Sequence, residues 1–369
     1  MYAPFTTPAY SNAASAILAF VVEAAAAAGG GNTSYADFVG EQILAPLGMS
    51  NTTIHRGPAQ DAWGFIPLGE DWWGASLGHE DAAGGFYSNT RDLQAFGAGI
   101  LRHEVLGGAA TRRWLKPAAA TSSSGLVMGA PWEILRSTTA TADGRLVEFF
   151  CKAGNLHTYN NMLCLVPDYD LVLTILSGGA ESSGRLVDGV LSTVVKGLLP
   201  AIEDAGKSQA RKQVAGTYHD AASNSSVTLA VDEDGGPGLK VAKWVVRGVD
   251  VIENYAGFGA LSSSPTRDVE VSVRLYPTNL EAATAAESGG RGGNKAAWRA
   301  VFDVGSADEI AEYEASMFWP NAGCATWGKM DRFVYQFRSI DEFVITVDEE
   351  GCAEGLRLHG FQVDLERES

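Results

Sequence analysis

Residues 149–168 read FFCKAGNLHTYNNMLCLVPD. Two apolar runs flank a short polar centre, which is the pattern of two antiparallel strands joined by a tight turn. A turn centred between His157 and Thr158 would set Cys151 directly opposite Cys164, within reach of a disulfide. The stretch therefore predicts a β-hairpin whose first strand carries Lys152-Ala153-Gly154.

Four other segments accompany this hairpin in a fixed order. They are PAYSNA at 8–13, PLGMSNTT at 46–53, AGGFYS with RDL at 83–93, and LVPD at 165–168. Together with KAG at 152–154 they resemble the Y-x-N, PLGM…T, AGG…S…DL, K-[ST]-G and VP[DE] motifs of serine β-lactamases and penicillin-binding proteins. The resemblance covers about residues 4–200. It is to class C-like members, among them a secreted fungal β-lactamase-like branch with a β-rich C-terminal extension.

The resemblance implies an α+β fold, with helices flanking an antiparallel sheet, followed by an all-β sandwich or barrel. Residues 1–203 would form a β-lactamase-like domain that lacks its N-terminal part, 204–212 a polar linker, and 213–369 a β-rich domain. The hydrophobic pattern predicts helices over 12–28, 34–45, 90–102 and 182–199, the last ending at Pro200. It predicts strands over 125–135, 145–152, 161–166 and 171–176, and then over 226–231, 239–246, 269–276, 297–304, 332–339, 342–347 and 356–363.

Two of these helices have an evident apolar side. In the first helix it is formed by Ile17, Leu18, Val21 and Val22. In the last helix it is formed by Leu186, Val187, Val190, Leu191, Val194 and Leu198. Spacings of three and four residues place such side chains on one face, so both helices are predicted to pack through them.

The resemblance also implies a site for acyl transfer, in which a serine hydroxyl attacks a carbonyl and gives its proton to a positioned base. Tyr10 and Lys152 carry over as the catalytic pair: Tyr10 as proton carrier, Lys152 as a cation that assists it. Asn12 would orient the substrate, Gly154 would let it approach the strand, and the Asn155 backbone N–H would donate into an oxyanion hole. His157, at the mouth of this site, is a candidate polar contact or auxiliary acid/base. Ser11, inside Y-x-N, is not the nucleophile.

Two departures from the family pattern stand out. The upstream S-x-x-K motif, which supplies the nucleophile and a lysine, does not occur in the sequence. Ala153 replaces the hydroxyl residue of K-[ST]-G, which removes a hydrogen bond to a substrate carboxylate and favours esters, amides or peptides over penicillin-like substrates. Taken one at a time, each residue has a purely structural interpretation: Tyr10 as an aromatic residue at a helix start, Asn12 as an N-cap, and Lys152 as a surface residue of a strand. In family order they predict a cleft.

Family members carry a substantial segment before Y-x-N, whereas Tyr10 is only the tenth residue here. The sequence is therefore interpreted as truncated, through a clipped gene model or as a true remnant. Without that segment, a sheet edge and an apolar face would be uncovered, so we expect a poorly stable or sticky polypeptide.

Three functions stand as hypotheses. The first is a β-lactamase-related serine hydrolase or acyltransferase, inactive as this chain. The second is a pseudoenzyme or small-molecule-binding protein that keeps the cleft. The third is an esterase using Ser76, which lies in the G-x-S-x-G sequence 74–78. The nucleophile elbow requires an apolar strand before the serine and a helix after it, and neither is predicted there.

Composition bounds the partners. The 369 residues carry 27 Lys+Arg against 44 Asp+Glu, a net charge of −17, which disfavours nucleic-acid binding. No stretch is apolar enough to predict a membrane span, and no metal or cofactor motif is present. The expected partner is a small-molecule or peptide substrate. Four cysteines (Cys151, Cys164, Cys324 and Cys352) fit one disulfide per domain and a secreted protein, or four free thiols, and both alternatives stay open. The chain shows no targeting signal of its own.

Overall fold

The computed structural model describes residues 3, 6–30, 33–232, 236–255, 270–283, 294–318, 330–331 and 333–368. The chain divides into two compact units, Met1–Ile202 and Glu203–Ser369. None of the helices in these described ranges is long and apolar enough to cross a bilayer.

The helices of the first unit largely follow the predicted pattern. The first helix has the predicted bounds. The predicted second helix is α-helical only over Tyr35–Val39 and then continues as a π-helical segment, Gly40–Leu44. The helices are α1 (Asn12–Ala28), α2 (Tyr35–Val39), α3 (Pro58–Trp63), α4 (Asp81–Gly84), α5 (Thr90–Leu101), α6 (Gly108–Trp114) and α7 (Gly184–Gln213).

The first unit contains a six-stranded antiparallel sheet in which the strands lie in chain order. The predicted strand 125–135 is instead two strands, β2 and β3, that pair with each other around a turn containing Pro131. The strands are β1 (Ala119–Ala120), β2 (Leu126–Met128), β3 (Glu133–Ser137), β4 (Val147–Leu156), β5 (Tyr159–Val166) and β6 (Leu171–Gly178).

The two faces of this sheet pack on different helices, as alternation along a strand requires. Phe149 and Cys151 of β4 belong to the core that α7 covers. Phe150, between them, belongs to a second core with Ile100 of α5. By the same alternation, the Lys152 side chain leaves the strand on the α5 side.

Helix α7 differs from its prediction. It continues through Pro200 to Gln213, so the predicted linker 204–212 forms its last turns. The sequence after Pro200 is rich in Ala, Glu, Lys, Gln and Arg, which favour helix, and this outweighs the cost of one proline. Its buried residues are Val187, Leu191, Val195 and Leu199.

The predicted apolar faces are therefore partly wrong. Leu186, Val190 and Val194 of α7 are 39–45% exposed. In α1, Ala16 and Ala19 are buried while Ile17, Leu18 and Val21 are exposed. Because each apolar stripe is wider than the contact it makes, the sequence did not show which edge of the stripe packs.

The second unit is a closed antiparallel barrel, one of the two predicted alternatives. Eight strands close it, in the order β9-β11-β12-β15-β16-β17-β7-β8, and β8 pairs back with β9. The strands are β7 (Gly216–Asp220), β8 (Ser225–Ala230), β9 (Leu239–Val246), β10 (Val249–Asp250), β11 (Val271–Ala283), β12 (Asn294–Val304), β13 (Val334–Tyr335), β14 (Arg338–Ser339), β15 (Glu342–Val347), β16 (Ala353–Leu358) and β17 (Val363–Arg367). The described residues of this unit also include the helix α8 (Ala307–Ser316).

An aromatic cluster fills the barrel. The ring of Trp244 lies 4.8 Å from that of Phe343 and 5.9 Å from that of Phe302, measured between centroids. Two predicted strands cross turns in the structure: 356–363 spans the end of β16 and the start of β17, and the described part of 332–339 holds the short pair β13 and β14. The turn between β13 and β14 is Gln336-Phe337, which has no Gly or Pro to indicate it, whereas the turn between β16 and β17 contains Gly360, a signal that the predicted strand ignored.

Candidate active site

The hairpin of β4 and β5 has the predicted turn and register. Cys151 and Cys164 face each other and form a disulfide, with their Cα atoms 4.0 Å apart. A two-residue turn of His157 and Thr158 joins the strands, and Leu156 and Tyr159 form the closing pair. Cys352 is a half-buried free thiol, and Cys324 lies outside the described residues.

Lys152 and Tyr10 come together, although they are far apart in the sequence. The Nζ atom of Lys152 lies over the Tyr10 ring, 5.2 Å from its centroid, in a cation–π contact. The same Nζ donates to Glu133 Oε1 at 2.9 Å and to the Ala153 carbonyl at 2.7 Å. The ammonium group is thus held by the Tyr10 ring, the Glu133 carboxylate and the Ala153 carbonyl. Tyr10 itself is 74% exposed.

The Y-S-N triplet is placed by the start of α1. Ser11 is the N-cap, and its Oγ accepts from the Ala14 backbone N–H at 3.2 Å. Ser11 has an extended backbone there, which is usual for an N-cap. Asn12 is the first helical residue and is exposed, two positions from Tyr10. The capping role that Asn12 could have had therefore belongs to Ser11, and the Asn12 side chain is left on the surface.

The strand edge next to Lys152 is open on one side. Strand β3 pairs with β4 only from Val147 to Cys151, so its pairing stops just before Lys152. The 4.0 Å Cα separation of Cys151 and Cys164 is that of a non-hydrogen-bonded pair, whose N–H and C=O groups point away from the partner strand. By alternation, Ala153 and Asn155 also direct their backbone groups away from β5, toward this edge.

Gly154 lies between them on the open part of β4. A Cβ atom built on Gly154 would meet no atom within 4 Å, and the residue is exposed. The protein itself therefore does not require a glycine here for packing. A methyl group would instead enter the space in front of the strand.

A buried carboxylate fixes the tip of the hairpin. The Glu70 side chain has no exposed surface, and both its oxygens lie 3.0 Å from His157 Nδ1. Glu70 also accepts from the Thr158 hydroxyl and from the Trp72 backbone N–H. Burial would raise the pKa of Glu70, but the hydrogen bonds from Thr158, His157 and Trp72 outweigh it and lower this pKa to about 2.

Two more side chains complete this corner. The Trp72 ring stacks on the His157 imidazole, with centroids 5.8 Å apart and planes 20° apart. Asp71 is exposed, and Glu70, Asp71 and His157 each offer a ligand atom within 4.8 Å of the others. The nearest atoms of Glu70 and His157 are, however, already joined to each other by hydrogen bonds.

Ser76 does not form a nucleophile elbow. It lies in irregular chain between a turn and a 3₁₀ turn at Gly78–Glu80, and its Oγ accepts from the Gly78 backbone N–H at 3.2 Å. An elbow needs a strand before the serine and a helix directly after it. Neither element is present around Ser76.

Sequence reasoning missed Glu133, Glu70 and Trp72. Glu133 follows Trp132 on β3, and only its pairing with Cys151 brings it beside Lys152. Glu70 and Trp72 belong to the long loop between α3 and α4, which has no periodicity to read. The density of Trp and acidic residues in that loop was the one available signal, and it does not indicate which strand the loop contacts.

Comparisons with known proteins bear on both units. A family model described as "Beta-lactamase" matches residues 1–191, and one described as "Beta-lactamase-like-like, C-terminal domain" matches residues 206–369. A "Beta-lactamase-like protein" of Arthroderma benhamiae is 28% identical over 358 residues, covering 94% of this chain and 58% of that protein. "Probable hydrolase clz13" of Cochliobolus lunatus is 25% identical over 256 residues, covering 68% of this chain and 39% of that protein.

Solved structures are similar at a lower level. A penicillin-binding protein from Bacillus halodurans has 18% identity and a TM-score of 0.42, covering 52% of this chain and 57% of that one. The chain spans 58% or less of the length of the two curated relatives above. The family models together match nearly the whole sequence, and the first alone matches more than half of it. The chain therefore belongs to the beta-lactamase family.

Proposed function

We propose that this chain holds the substrate-binding side of a β-lactamase-related serine hydrolase or acyltransferase site, and that the 369-residue polypeptide does not turn over substrate by itself. The observation that carries the proposal is the contact of Lys152 with Tyr10, which joins the K-A-G strand to the Y-S-N helix start. Acyl transfer needs a serine nucleophile beside a base, and the sequence has no S-x-x-K to supply one.

The open edge of β4 suits a carbonyl substrate. In acyl transfer the attacked carbonyl oxygen becomes an oxyanion, which backbone N–H donors stabilise. Asn155 would direct its N–H toward the open edge, and Gly154 would leave room for the substrate to approach. Tyr10 would carry the nucleophile's proton, and Asn12 would orient a substrate amide. Ala153 offers no hydroxyl for a substrate carboxylate, so esters, amides and peptides are the favoured substrates.

A second candidate is a pseudoenzyme or small-molecule-binding protein that keeps the cleft. The ion pair of Lys152 with Glu133 supports it, because a neutralised ammonium group is a weaker aid to a proton carrier than a free one. The irregular chain around Ser76 speaks against the third hypothesis, an esterase that uses this serine. The Cys151–Cys164 disulfide supports an oxidising compartment, as in a secreted protein.

Two measurements on the 369-residue chain test the proposal. Incubation with a fluorophosphonate probe should leave every serine unlabelled, whereas a label on Ser76 would support the esterase. Titration with acetyl-Ala-Ala-amide, followed by NMR of the Asn155 backbone N–H, should give a saturating shift. The shift should be lost in K152A and kept in Lys116→Ala, which removes an exposed cation outside the site. A chain that shows no such shift, or one that K152A leaves unchanged, does not have the proposed site.

A further inference from the structure

The tip of the β4–β5 hairpin carries a second arrangement of polar and aromatic groups, separate from Tyr10 and Lys152. It consists of Glu70, Trp72 and Asp71 from the α3–α4 loop and His157 and Thr158 from the turn. The proposed acyl-transfer site makes no use of Glu70 or Trp72, although Glu70 is a buried carboxylate.

Glu70 determines which nitrogen of His157 is available. A carboxylate only accepts hydrogen bonds, so His157 Nδ1, 3.0 Å from both oxygens, must carry the proton. The other ring nitrogen, Nε2, is then the atom free to meet a ligand, and the imidazole is 43% exposed. A second group holding a histidine in one tautomer is the usual way in which proteins present a defined imidazole nitrogen.

The backbone at His157 has the conformation that the two-residue turn requires. His157 has φ of 51°, in the left-handed region that glycine and asparagine adopt more readily. This conformation follows from the turn type, and the proposed role of His157 rests on its side-chain contacts. Here the Glu70 hydrogen bonds and the Trp72 ring hold the residue in place.

The position of His157 along β4 defines what could reach it. His157 is five positions beyond Lys152, which is about 17 Å of strand. The open edge, from Lys152 to Leu156, runs between the two points. Only an elongated ligand lying along that edge contacts both ends.

We propose that Glu70 is a positioning residue that holds His157 as the contact for the far end of an extended, peptide-like substrate lying along the open edge of β4, with Trp72 as an aromatic surface for that end. This inference rests on the proposed function. Among the described residues, Glu70 and Asp71 from the loop are the carboxylates grouped with His157, and Tyr159 of β5 lies close enough to interact with Glu70. The carboxylates disfavour an anionic end, and the exposed Trp72 ring favours an end that carries an aromatic or amide group.

Calorimetric titration of the full chain with uncharged peptides in EDTA tests the inference. Acetyl-Phe-Ala-Ala-Ala-Phe-amide presents an aromatic ring in either direction, acetyl-Ala-Ala-Ala-Ala-Ala-amide has the length without the ring, and acetyl-Ala-Ala-amide is too short to reach His157. We expect the Phe peptide to bind most tightly, and E70Q and H157N each to weaken it about fivefold, the effect of one lost hydrogen bond. E70Q should not change the affinity for the short peptide.

The variants are chosen so that folding does not decide the result. Asparagine tolerates the left-handed backbone of position 157 and keeps an amide, so H157N should remain folded. D71N removes the same charge from the neighbouring residue without touching His157, and it should bind all three peptides as the parent does. Equal weakening in D71N and E70Q would show a general charge effect and overturn the positioning role.

Three further outcomes are decisive. If the Phe peptide binds the parent, E70Q and H157N equally well, the inference fails while the proposed function stands. If no peptide binds the parent chain, the proposed function fails and the inference falls with it. If the peptide affinity depends on both Glu70 and Asp71 when zinc chloride replaces EDTA, a cation occupies the group formed by Glu70, Asp71 and His157. The proposed contact between His157 and the peptide is then overturned.

Discussion

The ammonium nitrogen of Lys152 lies 2.9 Å from Glu133 Oε1, so the lysine of the K-A-G motif is paired within its own sheet. The two residues are on neighbouring strands, and both side chains are about 30% exposed. The pair therefore neutralises the cation that faces Tyr10.

We expect E133Q to leave the positive charge of Lys152 without its compensating carboxylate. The change should raise the affinity for the anion acetyl-Ala-Ala about fivefold over acetyl-Ala-Ala-amide, because the ammonium charge is no longer compensated. The free energy of unfolding should fall by less than about 1 kcal/mol, as for a partly exposed pair. Titration calorimetry and urea denaturation measure both.

Glu148→Gln is the matched control, since Glu148 pairs with Arg136 at 3.2 Å on the same two strands and is similarly exposed. It should cost similar stability without changing the affinity for the anion. Equal anion affinity in the two variants would show that Glu133 does not govern the charge of the cleft.

Gly154→Ala should separate binding from stability. No atom lies within 4 Å of the added methyl group, so the free energy of unfolding should be unchanged or slightly higher. Binding of acetyl-Ala-Ala-amide should weaken about tenfold, because the methyl group occupies the substrate's approach. Gly197→Ala on α7 also has open space around it and should raise stability by roughly 1 kcal/mol with no effect on binding. Normal binding by the G154A variant would show that the open edge of β4 is not part of the binding site.

The Cys151–Cys164 disulfide should stabilise the first unit. Replacing both cysteines by alanine should lower the free energy of unfolding by about 2–3 kcal/mol, the usual effect of a crosslink that closes a short loop. Dithiothreitol should have the same effect on the parent chain and none on the double variant. Cys352→Ala should not alter the response to dithiothreitol, because Cys352 is a free thiol. A parent chain that is insensitive to reduction would contradict the prediction.

Glu70 should contribute a pH-dependent part of the stability. Its pKa is about 2 in the folded chain against an ordinary 4.5, so the folded state favours the ionised form. The contribution is fully present above about pH 5 and is lost as the pH falls through the ordinary pKa toward the folded one. The Tm difference between the parent and E70Q should follow this course in calorimetry.

Asp71→Asn, which removes a carboxylate from the neighbouring residue, provides the control for the loss of one charge. A Tm difference for E70Q that persists unchanged down to about pH 2 would show that the carboxylate is not held ionised by its hydrogen bonds.

The row of exposed apolar side chains on α7 should act as a hydrophobic surface patch that promotes self-association. Leu186, Val190 and Val194 are 39–45% exposed and four residues apart, so they form one stripe. We expect the chain to bind the dye anilinonaphthalene sulfonate and to self-associate in sedimentation. Replacing all three residues by glutamine should reduce dye binding and self-association. Replacing the exposed Ser192 and Thr193 of the same helix by glutamine should change neither. A monodisperse parent with a sharp melt and no dye binding would refute this.

Local patterns predicted the parts of the site that lie within one hairpin or one helix start. The turn at His157, the pairing of Cys151 with Cys164 and the bounds of α1 all follow from signals a few residues long. Hydrogen bonds and side-chain alternation act over that same range, so the sequence is sufficient for them. The order of the motifs likewise indicates the family, since it does not depend on how the chain packs.

Contacts between distant segments were not predictable in the same way. Glu133 and Lys152, or Glu70 and His157, share no sequence spacing that would mark them as partners. Polar residues in loops pair according to where the loop packs, and that depends on the shape of the whole unit. The ion pair that neutralises Lys152 therefore appears only in the folded sheet.

The sequence by itself determined the family, the hairpin with its register, and the strand-rich second half, and it left the Cys151–Cys164 disulfide as one of two alternatives. Only the tertiary structure decided that this second half closes into a barrel, that α7 continues through Pro200, and that Val187 rather than Leu186 is buried. It also decided that Glu70 holds His157. The physical reason is that turns and strands are set by neighbouring residues, whereas the buried edge of an apolar stripe and the partner of a charge are set by which surfaces meet when the chain packs.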